Sequence, residues 1–141
     1  MNDLGDARLL LDELTDEWLR LLGEAHALGV LSTLTWPLSS VAGLDERAQS
    51  VVGFLDAVER FARDVFPRVE EKAEQGDVDA AFRLKRGTAN ILAAVRGTSP
   101  VDDTLDDATT FVRDVTRQVA GASAALLVIG VAAFAVTLAL K

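Results

Sequence analysis

The chain has 141 residues, half of them apolar, with six Phe, two Trp, no Tyr and no Cys, and a formal net charge of -8. This length suits one compact domain with a short appendage, and a core built from Leu, Val and Ala favours helices. The lack of cysteine excludes disulfides, thiolate metal sites and a Cys nucleophile, and the negative charge disfavours nucleic acid as a partner.

The charged residues are strongly biased in type. Aspartate outnumbers glutamate, and only three of the 14 basic residues are lysine. This bias resembles the aspartate-rich, lysine-poor surfaces of proteins from salt-loving archaea. A genome rich in G and C, which also favours Arg, Ala, Val and Asp, is the alternative explanation. Composition therefore favours a halophilic source.

An amphipathic helix is the first predicted element along the chain. Apolar residues recur three or four positions apart, and acidic residues such as Asp12 and Glu13 lie between them. The apolar stripe consists of Leu11, Leu14, Trp18, Leu21, Ala25 and Leu28. One face of this helix is therefore expected to pack against the rest of the domain.

The next segment, 25–44, contains 20 residues without a formal charge. It is long enough to span a membrane, but its Ser, Thr and Gly content and Pro37 favour a helix end and a buried loop, or a segment that touches the membrane interface through Trp36. A second membrane span is the alternative. It would change the topology of the whole chain.

A second amphipathic helix follows and is expected to be kinked or interrupted at Pro67. Proline has no backbone N–H and its ring clashes with the preceding turn, although 68–75 can continue as a helix afterwards. The apolar stripe consists of Ala48, Val51, Phe54, Leu55, Val58, Phe61, Ala62 and Val65. We expect this stripe to be buried.

A third helix is predicted between Asp77 and Gly97. Gly76 provides a stop and Asp77 an N-cap, while Gly87 and Thr88 are the weak point of the helix because both residue types are poor helix formers. The apolar stripe consists of Val78, Ala81, Phe82, Leu84, Ile91, Leu92 and Val95. The stripe is again expected to face the core.

The fourth helix has the clearest start signal in the chain. Ser99 supplies an N-cap, Pro100 the first helical position, and several aspartates the first turn. The apolar stripe consists of Leu105, Ala108, Val112, Val115 and Val119. Because no glycine or proline lies between Pro100 and Val119, this helix is predicted to run unbroken into the segment that follows.

That C-terminal segment is a predicted transmembrane anchor. From Val119 to Leu140, 22 consecutive residues carry no charge. A helix of this length spans about 33 Å, matches a hydrocarbon core of roughly 30 Å, and pairs its own backbone polar groups. A buried central helix of a soluble domain is the alternative. The residues assigned to the anchor are Val119, Leu126, Leu127, Ile129, Phe134 and Leu138.

The charges that flank the anchor predict its orientation. Arg113 and Arg117 precede the apolar run and are expected at the membrane interface, whereas only Lys141 follows it, so the N-terminal part is expected in the cytoplasm. The acidic N-terminus lacks the pattern of a secretory signal. A C-terminal anchor without a signal predicts a tail-anchored protein that inserts after translation. Gly121 and Ala125 have the small-residue spacing that permits self-association.

Two groups of side chains are candidates for ion binding or catalysis. Asp102, Asp103, Asp106 and Asp107 form carboxylate pairs four residues apart, but acids at a helix N-terminus are explained by the helix dipole. His26 is the only histidine, and no nucleophile motif accompanies it. No catalytic residue and no metal site are therefore predicted.

The basic residues Arg83, Lys85 and Arg86 form one local cluster. A solvated helix face with neighbouring acids is the preferred interpretation, and contact with lipid headgroups or an acidic partner is the alternative. No glycine-rich loop precedes a Lys-Ser or Lys-Thr pair, so no nucleotide cofactor is predicted.

The sequence thus predicts an all-α protein: a small bundle of three to four helices, with the last helix continuing into a C-terminal transmembrane helix. The predicted parts are an acidic bundle at 1–98, a juxtamembrane amphipathic helix at 99–118 and an anchor at 119–141. The expected function is a tail-anchored, non-catalytic structural or interaction module. Its expected partners are the lipid bilayer and other proteins through apolar helix faces, including copies of itself, with no nucleic acid, small-molecule substrate or cofactor.

Two alternative functions share this architecture. The first is a structural protein of a halophilic virus that links the virion membrane to the capsid. The second is an accessory subunit of a membrane enzyme complex. Proteins that co-purify from native membranes would distinguish these alternatives from a cellular interaction module.

Overall fold

The computed structural model describes residues 3–27, 46–100 and 102–121. The regular elements in these ranges are α1 (Asp3–Ala27), α2 (Glu46–Arg60), a π-helical turn (Phe61–Val65), α3 (Phe66–Glu74), α4 (Val78–Arg96) and α5 (Leu105–Val119). Since no non-helical residue separates α2, the π-helical turn and α3, the described chain forms four helical rods. The predicted all-α bundle is confirmed.

The first and third rods lie side by side and run in the same direction. Lys85, two turns into α4, contacts Asp3 at 3.4 Å and Asp6 at 3.2 Å at the start of α1. Farther along, Arg96 at the end of α4 lies 3.4 Å from Glu13 of α1. These ion pairs fix the register between the two helices.

The second rod runs antiparallel to the first. The indole N–H of Trp18 in α1 donates a 2.9 Å hydrogen bond to the carbonyl of Leu55 in α2, and Arg8 of α1 donates to Glu70 of α3 at 2.7 Å. Residue numbers therefore rise along α1 in the direction in which they fall along α2 and α3.

The fourth rod, α5, packs against α2 and α4 and runs antiparallel to α4. Its last residue, Val119, accepts a 3.3 Å hydrogen bond from Arg83 near the start of α4. We call this end of the bundle the exit end, and the opposite end, where α1 ends at Ala27 and α2 begins at Glu46, the far end. The 25 residues of α1 separate the two ends by about 36 Å.

The core contains large aromatic side chains as well as the expected aliphatic ones. Phe61 and Phe66 pack edge to face with ring centroids 6.2 Å apart, a favourable geometry for aromatic pairs. The second predicted stripe is confirmed as buried, except that Ala62 is half-buried. The largest fully buried side chains are Phe54, Phe61, Phe66, Leu14, Leu21, Leu55, Leu84, Ile91, Val51, Val58 and Val95.

The interruption predicted at Pro67 is confirmed, and it takes the form of the π-helical turn. The N–H of Phe66 donates to the carbonyl of Phe61, five residues earlier. Pro67, at the start of α3, has no backbone N–H to donate to the preceding turn. One widened turn therefore accommodates its ring. The Arg68 side chain donates to the Asp64 carbonyl at 2.9 Å within the same region.

The start of the fourth helix differs from the prediction. Instead of beginning at Ser99 and Pro100, α5 begins at Leu105. The Asp102 carboxylate accepts bonds from the Thr104 N–H at 2.9 Å and from its hydroxyl at 2.7 Å. An aspartate-stabilised turn therefore precedes the helix, because a short acidic side chain competes for backbone donors.

The end of α5 also differs. The helix ends at Val119, and Gly121 has a φ of 94°, a left-handed conformation that glycine adopts readily and that closes many helices. The prediction of one helix running unbroken into the anchor is therefore wrong at this point. Among the described residues, no helix is both long and apolar enough to cross a membrane.

Candidate functional site at the exit end

The side chain of Arg83 holds the end of α5. It is only 12% exposed, its Nε donates to the Val119 carbonyl at 3.3 Å, and its guanidinium pairs with Asp79 one turn earlier. The last carbonyls of a helix lack internal donors and carry partial negative charge. Arg83 satisfies one of them and thereby ties the last residue of α5 to α4.

The remaining basic residues of the predicted cluster have separate environments. Lys85 is bound by Asp6 and Asp3, whose hydrogen bonds raise the pKa of the lysine ammonium. Stability from this pairing is present below the ordinary lysine pKa and is lost as pH rises through the raised value. Arg86 is exposed and has no ion-pair partner in the described part of the chain. The cluster is thus mostly a helix face paired with acids.

Two large apolar side chains next to Arg83 are exposed, contrary to the prediction. Val78 is 77% and Phe82 49% exposed. The Asp77 carboxylate accepts a 3.0 Å bond from the Ala80 N–H, which fixes the start of α4 as expected. The buried face of the helix runs through Ala80 and Leu84, which leaves Val78 and Phe82 on the outside. Because they are four residues apart, they share one helix face. We call this pair the α4 patch.

Gly87 permits the close contact between α4 and α5 at the exit end. A Cβ atom on Gly87 would overlap Val119 Cγ2 and would lie 3.4 Å from Val115 Cγ1. Gly87 is buried, and the neighbouring Thr88 hydroxyl donates to the Leu84 carbonyl at 2.6 Å. The predicted weak point of the third helix is therefore a packing contact that only glycine permits.

The sequence-predicted site residues fall into three groups. Arg113 and Arg117 are exposed on α5, and Arg117 pairs with Asp114. Val119 is buried in the core rather than exposed to lipid, so the bundle extends past the predicted anchor boundary. The other predicted residues lie outside the described residues: Trp36, Leu126, Leu127, Ile129, Phe134 and Leu138.

Two surface grooves accompany these features. The larger, about 500 Å³, lies between α2 and α5 and is lined partly by Asp56, Arg60, Arg113 and Arg117. Arg60 pairs with Asp56 at 2.9 Å, so the groove's charges partly neutralise one another. The smaller, about 280 Å³, is apolar and lies beside Trp18. Both grooves are open surface features between helices.

The candidate ion-binding and catalytic residues are not brought together in the described part of the chain. Asp102 stabilises the turn before α5, and His26 is exposed at the end of α1. Within 3–27, 46–100 and 102–121, no three His, Cys, Asp or Glu side chains are grouped to hold a metal ion.

Comparison with known proteins assigns no family. The chain matches no protein-family model, no curated protein and no solved structure. The functional argument therefore rests on the geometry of the bundle and on the sequence that continues from its exit end.

The contact between Arg83 and α5 gives a testable prediction. We expect Arg83→Met to lower the free energy of unfolding by about 1 kcal/mol, because the Val119 carbonyl loses its donor. The amides of Ala120 and Gly121, bonded to the last turn of α5 at 3.1 and 3.0 Å, should exchange hydrogen faster in this variant. Hydrogen-exchange measurements check this.

Arg86→Met is the matched control for this experiment. It removes an equally long basic side chain from an exposed position one turn away, where a change within about 0.5 kcal/mol is expected. Equal amide protection at the end of α5 in the two variants would show that the Arg83 side chain does not stabilise the end of α5.

Proposed function

We propose that this protein is a membrane-anchored helical bundle that acts as a non-catalytic structural or protein-interaction module at a membrane surface. The exit end carries this proposal. There α5 ends at Val119, Gly121 adopts a left-handed conformation, and the sequence continues with 19 uncharged residues at 122–140. A segment of this length and character is suited to a bilayer.

The charge distribution supports a cytoplasmic bundle. All acidic residues and all basic residues except Lys141 precede Val119, so this part has a net charge of -9. Arg113 and Arg117 are exposed within two turns of the exit. Basic residues beside a span favour retention of that side in the cytoplasm.

Exposed apolar residues on α1 support an interaction role. Leu9 is 66% and Leu19 54% exposed, and the exposed acids Asp12, Glu13 and Asp16 lie between them on the same helix. Single exposed apolar residues are common on protein surfaces. Together with the acidic face of α1, these two leucines are the proposed contact points for other proteins.

The anchoring proposal is tested by separating the bundle from the apolar segment. A cut after Gln118 would remove the buried Val119 from the core, so the chain should be cut after Gly121 instead. We expect the full-length protein to float with phospholipid vesicles in a density gradient and the shortened chain to remain at the bottom. Circular dichroism of both proteins establishes that the bundle is still folded.

A full-length variant provides a matched control for this deletion. Leu127→Arg combined with Phe134→Arg keeps the chain length but places two charges in the proposed span, at a cost of about 2.5–3.5 kcal/mol each by insertion scales. We expect this variant to lose flotation. If the unaltered full-length protein stays in the soluble fraction without lipid or detergent, the anchoring proposal is refuted.

A further inference from the structure

We propose that the α4 patch, formed by Val78 and Phe82, is a lipid-contacting surface that rests on the bilayer at headgroup depth. This inference rests on the proposed membrane anchoring and goes beyond it. It assigns a second membrane contact to the folded bundle itself, and with it a defined orientation of the bundle on the membrane.

The first argument is the position of the patch beside the exit. Phe82 directly precedes Arg83, whose Nε lies 3.3 Å from the Val119 carbonyl. A Cβ on Gly121 would lie 3.7 Å from the same guanidinium group. The patch and the start of the uncharged segment at 122–140 are therefore at the same end of the bundle. A bilayer that receives this segment would lie directly against the exit end.

The second argument is the chemistry of the exposed face. Val78, Phe82 and Arg86 are spaced four residues apart along α4, and all three are exposed. Aromatic and aliphatic side chains prefer the interfacial region of a bilayer, and an arginine beside them reaches lipid phosphates while its stem covers apolar surface. The helix therefore presents an apolar tip at the exit and a cation one turn farther from it.

The third argument is the continuity of the patch with the uncharged segment. Ala27 and Glu46, which flank the residues at 28–45, lie at the far end, about 36 Å from the exit along the 25-residue α1. Ala27 and Glu46 are therefore both far from the patch along the bundle axis. The uncharged segment at 122–140, in contrast, begins next to the patch. Because the patch lies beside the start of the proposed span, we propose the bilayer as the surface that the patch contacts.

The test uses the full-length protein and its lack of cysteine. Phe82→Cys allows one environment-sensitive fluorophore to be attached at the patch. Leu19→Cys is the matched control, because Leu19 is exposed to a similar extent, 54% against 49%, but lies about 25 Å farther from the exit. Both proteins are placed in vesicles of phosphatidylcholine and phosphatidylglycerol that contain a lipid with a nitroxide near the headgroup.

We expect the fluorophore at position 82 to show blue-shifted emission and several-fold stronger quenching by the nitroxide lipid than the fluorophore at position 19. Val78→Cys should behave like Phe82→Cys, since both side chains share the face. Because all three positions are exposed, circular dichroism should be the same for the labelled proteins.

Three results would overturn the inference in distinguishable ways. Water-like emission and equal quenching at positions 82 and 19, in protein that floats with vesicles, would leave anchoring intact and refute the patch. Blue-shifted emission without lipid quenching would show that protein, either a second copy or another segment of this chain, covers the patch. Loss of flotation in the unlabelled full-length protein would refute the proposed function as well.

Discussion

Phe61→Ala is expected to lower the free energy of unfolding by about 3–5 kcal/mol, the largest effect of any single change considered for this protein. Phe61 is completely buried and packs edge to face with Phe66 at a centroid distance of 6.2 Å. Removing its ring loses burial energy and the aromatic contact and leaves a cavity at the π-helical turn. Urea denaturation of the full-length protein in mild detergent, followed by far-ultraviolet circular dichroism, measures the effect.

The matched control makes the same substitution at an exposed phenylalanine. Phe82 is 49% exposed, and we expect Phe82→Ala to change the free energy of unfolding by no more than about 0.5–1 kcal/mol. A similar loss from the two substitutions would contradict the assignment of Phe82 to the surface. The comparison also shows whether Phe82 is dispensable for folding, as a residue available for lipid contact should be.

Gly87→Ala is the second change with a large expected effect. We expect it to lower the stability of the protein, although replacing glycine by alanine within a helix usually raises it. Alanine normally stabilises a helix interior relative to glycine by about 1 kcal/mol. At this position the new Cβ would overlap Val119 Cγ2, and overpacking typically costs about 1–3 kcal/mol. We therefore expect a net loss of stability in denaturation experiments and a displaced end of α5.

Gly53→Ala is the control for this prediction. Gly53 lies within α2, where a Cβ would have nothing within 4 Å, so we expect a gain of about 0.5–1 kcal/mol. Combining Gly87→Ala with Val119→Ala removes the overlapping methyl group, and the double variant should be more stable than the sum of the single effects implies. Additive effects would mean that the contact between Gly87 and Val119 does not limit the packing.

These two sites connect stability with the proposed membrane attachment. Val119 is both the last residue of α5 and the residue that packs on Gly87, and its carbonyl is held by Arg83. A change that displaces Val119 would also displace the start of the uncharged segment. Variants at Gly87 are therefore expected to alter the depth of a fluorophore at position 82, whereas Gly53→Ala should not.

The sequence does not predict the exposure of the α4 patch, because the small residues on the buried face of α4 are absent from the predicted apolar stripe. The buried positions include Ala80, Leu84, Gly87, Thr88 and Ile91, a regular spacing of three and four residues. Because glycine and threonine are poor helix formers, the sequence pattern predicts a weak point at Gly87 and Thr88 and an apolar stripe through Val78 and Phe82 instead. Spacing counted back from Ile91 through small residues would have identified the buried face.

The sequence by itself determined the helical class and several local features. Backbone hydrogen bonding explains why Pro67 interrupts a helix and why Asp77 begins one, and both effects act within a few residues. The uncharged character of 119–140 is likewise a property of the sequence. Local rules were sufficient wherever the responsible groups are neighbours along the chain.

The tertiary structure alone decided which helix faces meet. Helical periodicity predicts that a face is buried but does not specify its partner, since the hydrophobic effect is not directional. The parallel alignment of α1 with α4, the contact of Gly87 with Val119 and the hydrogen bond from Arg83 to α5 join residues at least 30 positions apart. Shape and charge complementarity between whole helices set those contacts, and they place Val119 in the bundle and Phe82 on its surface.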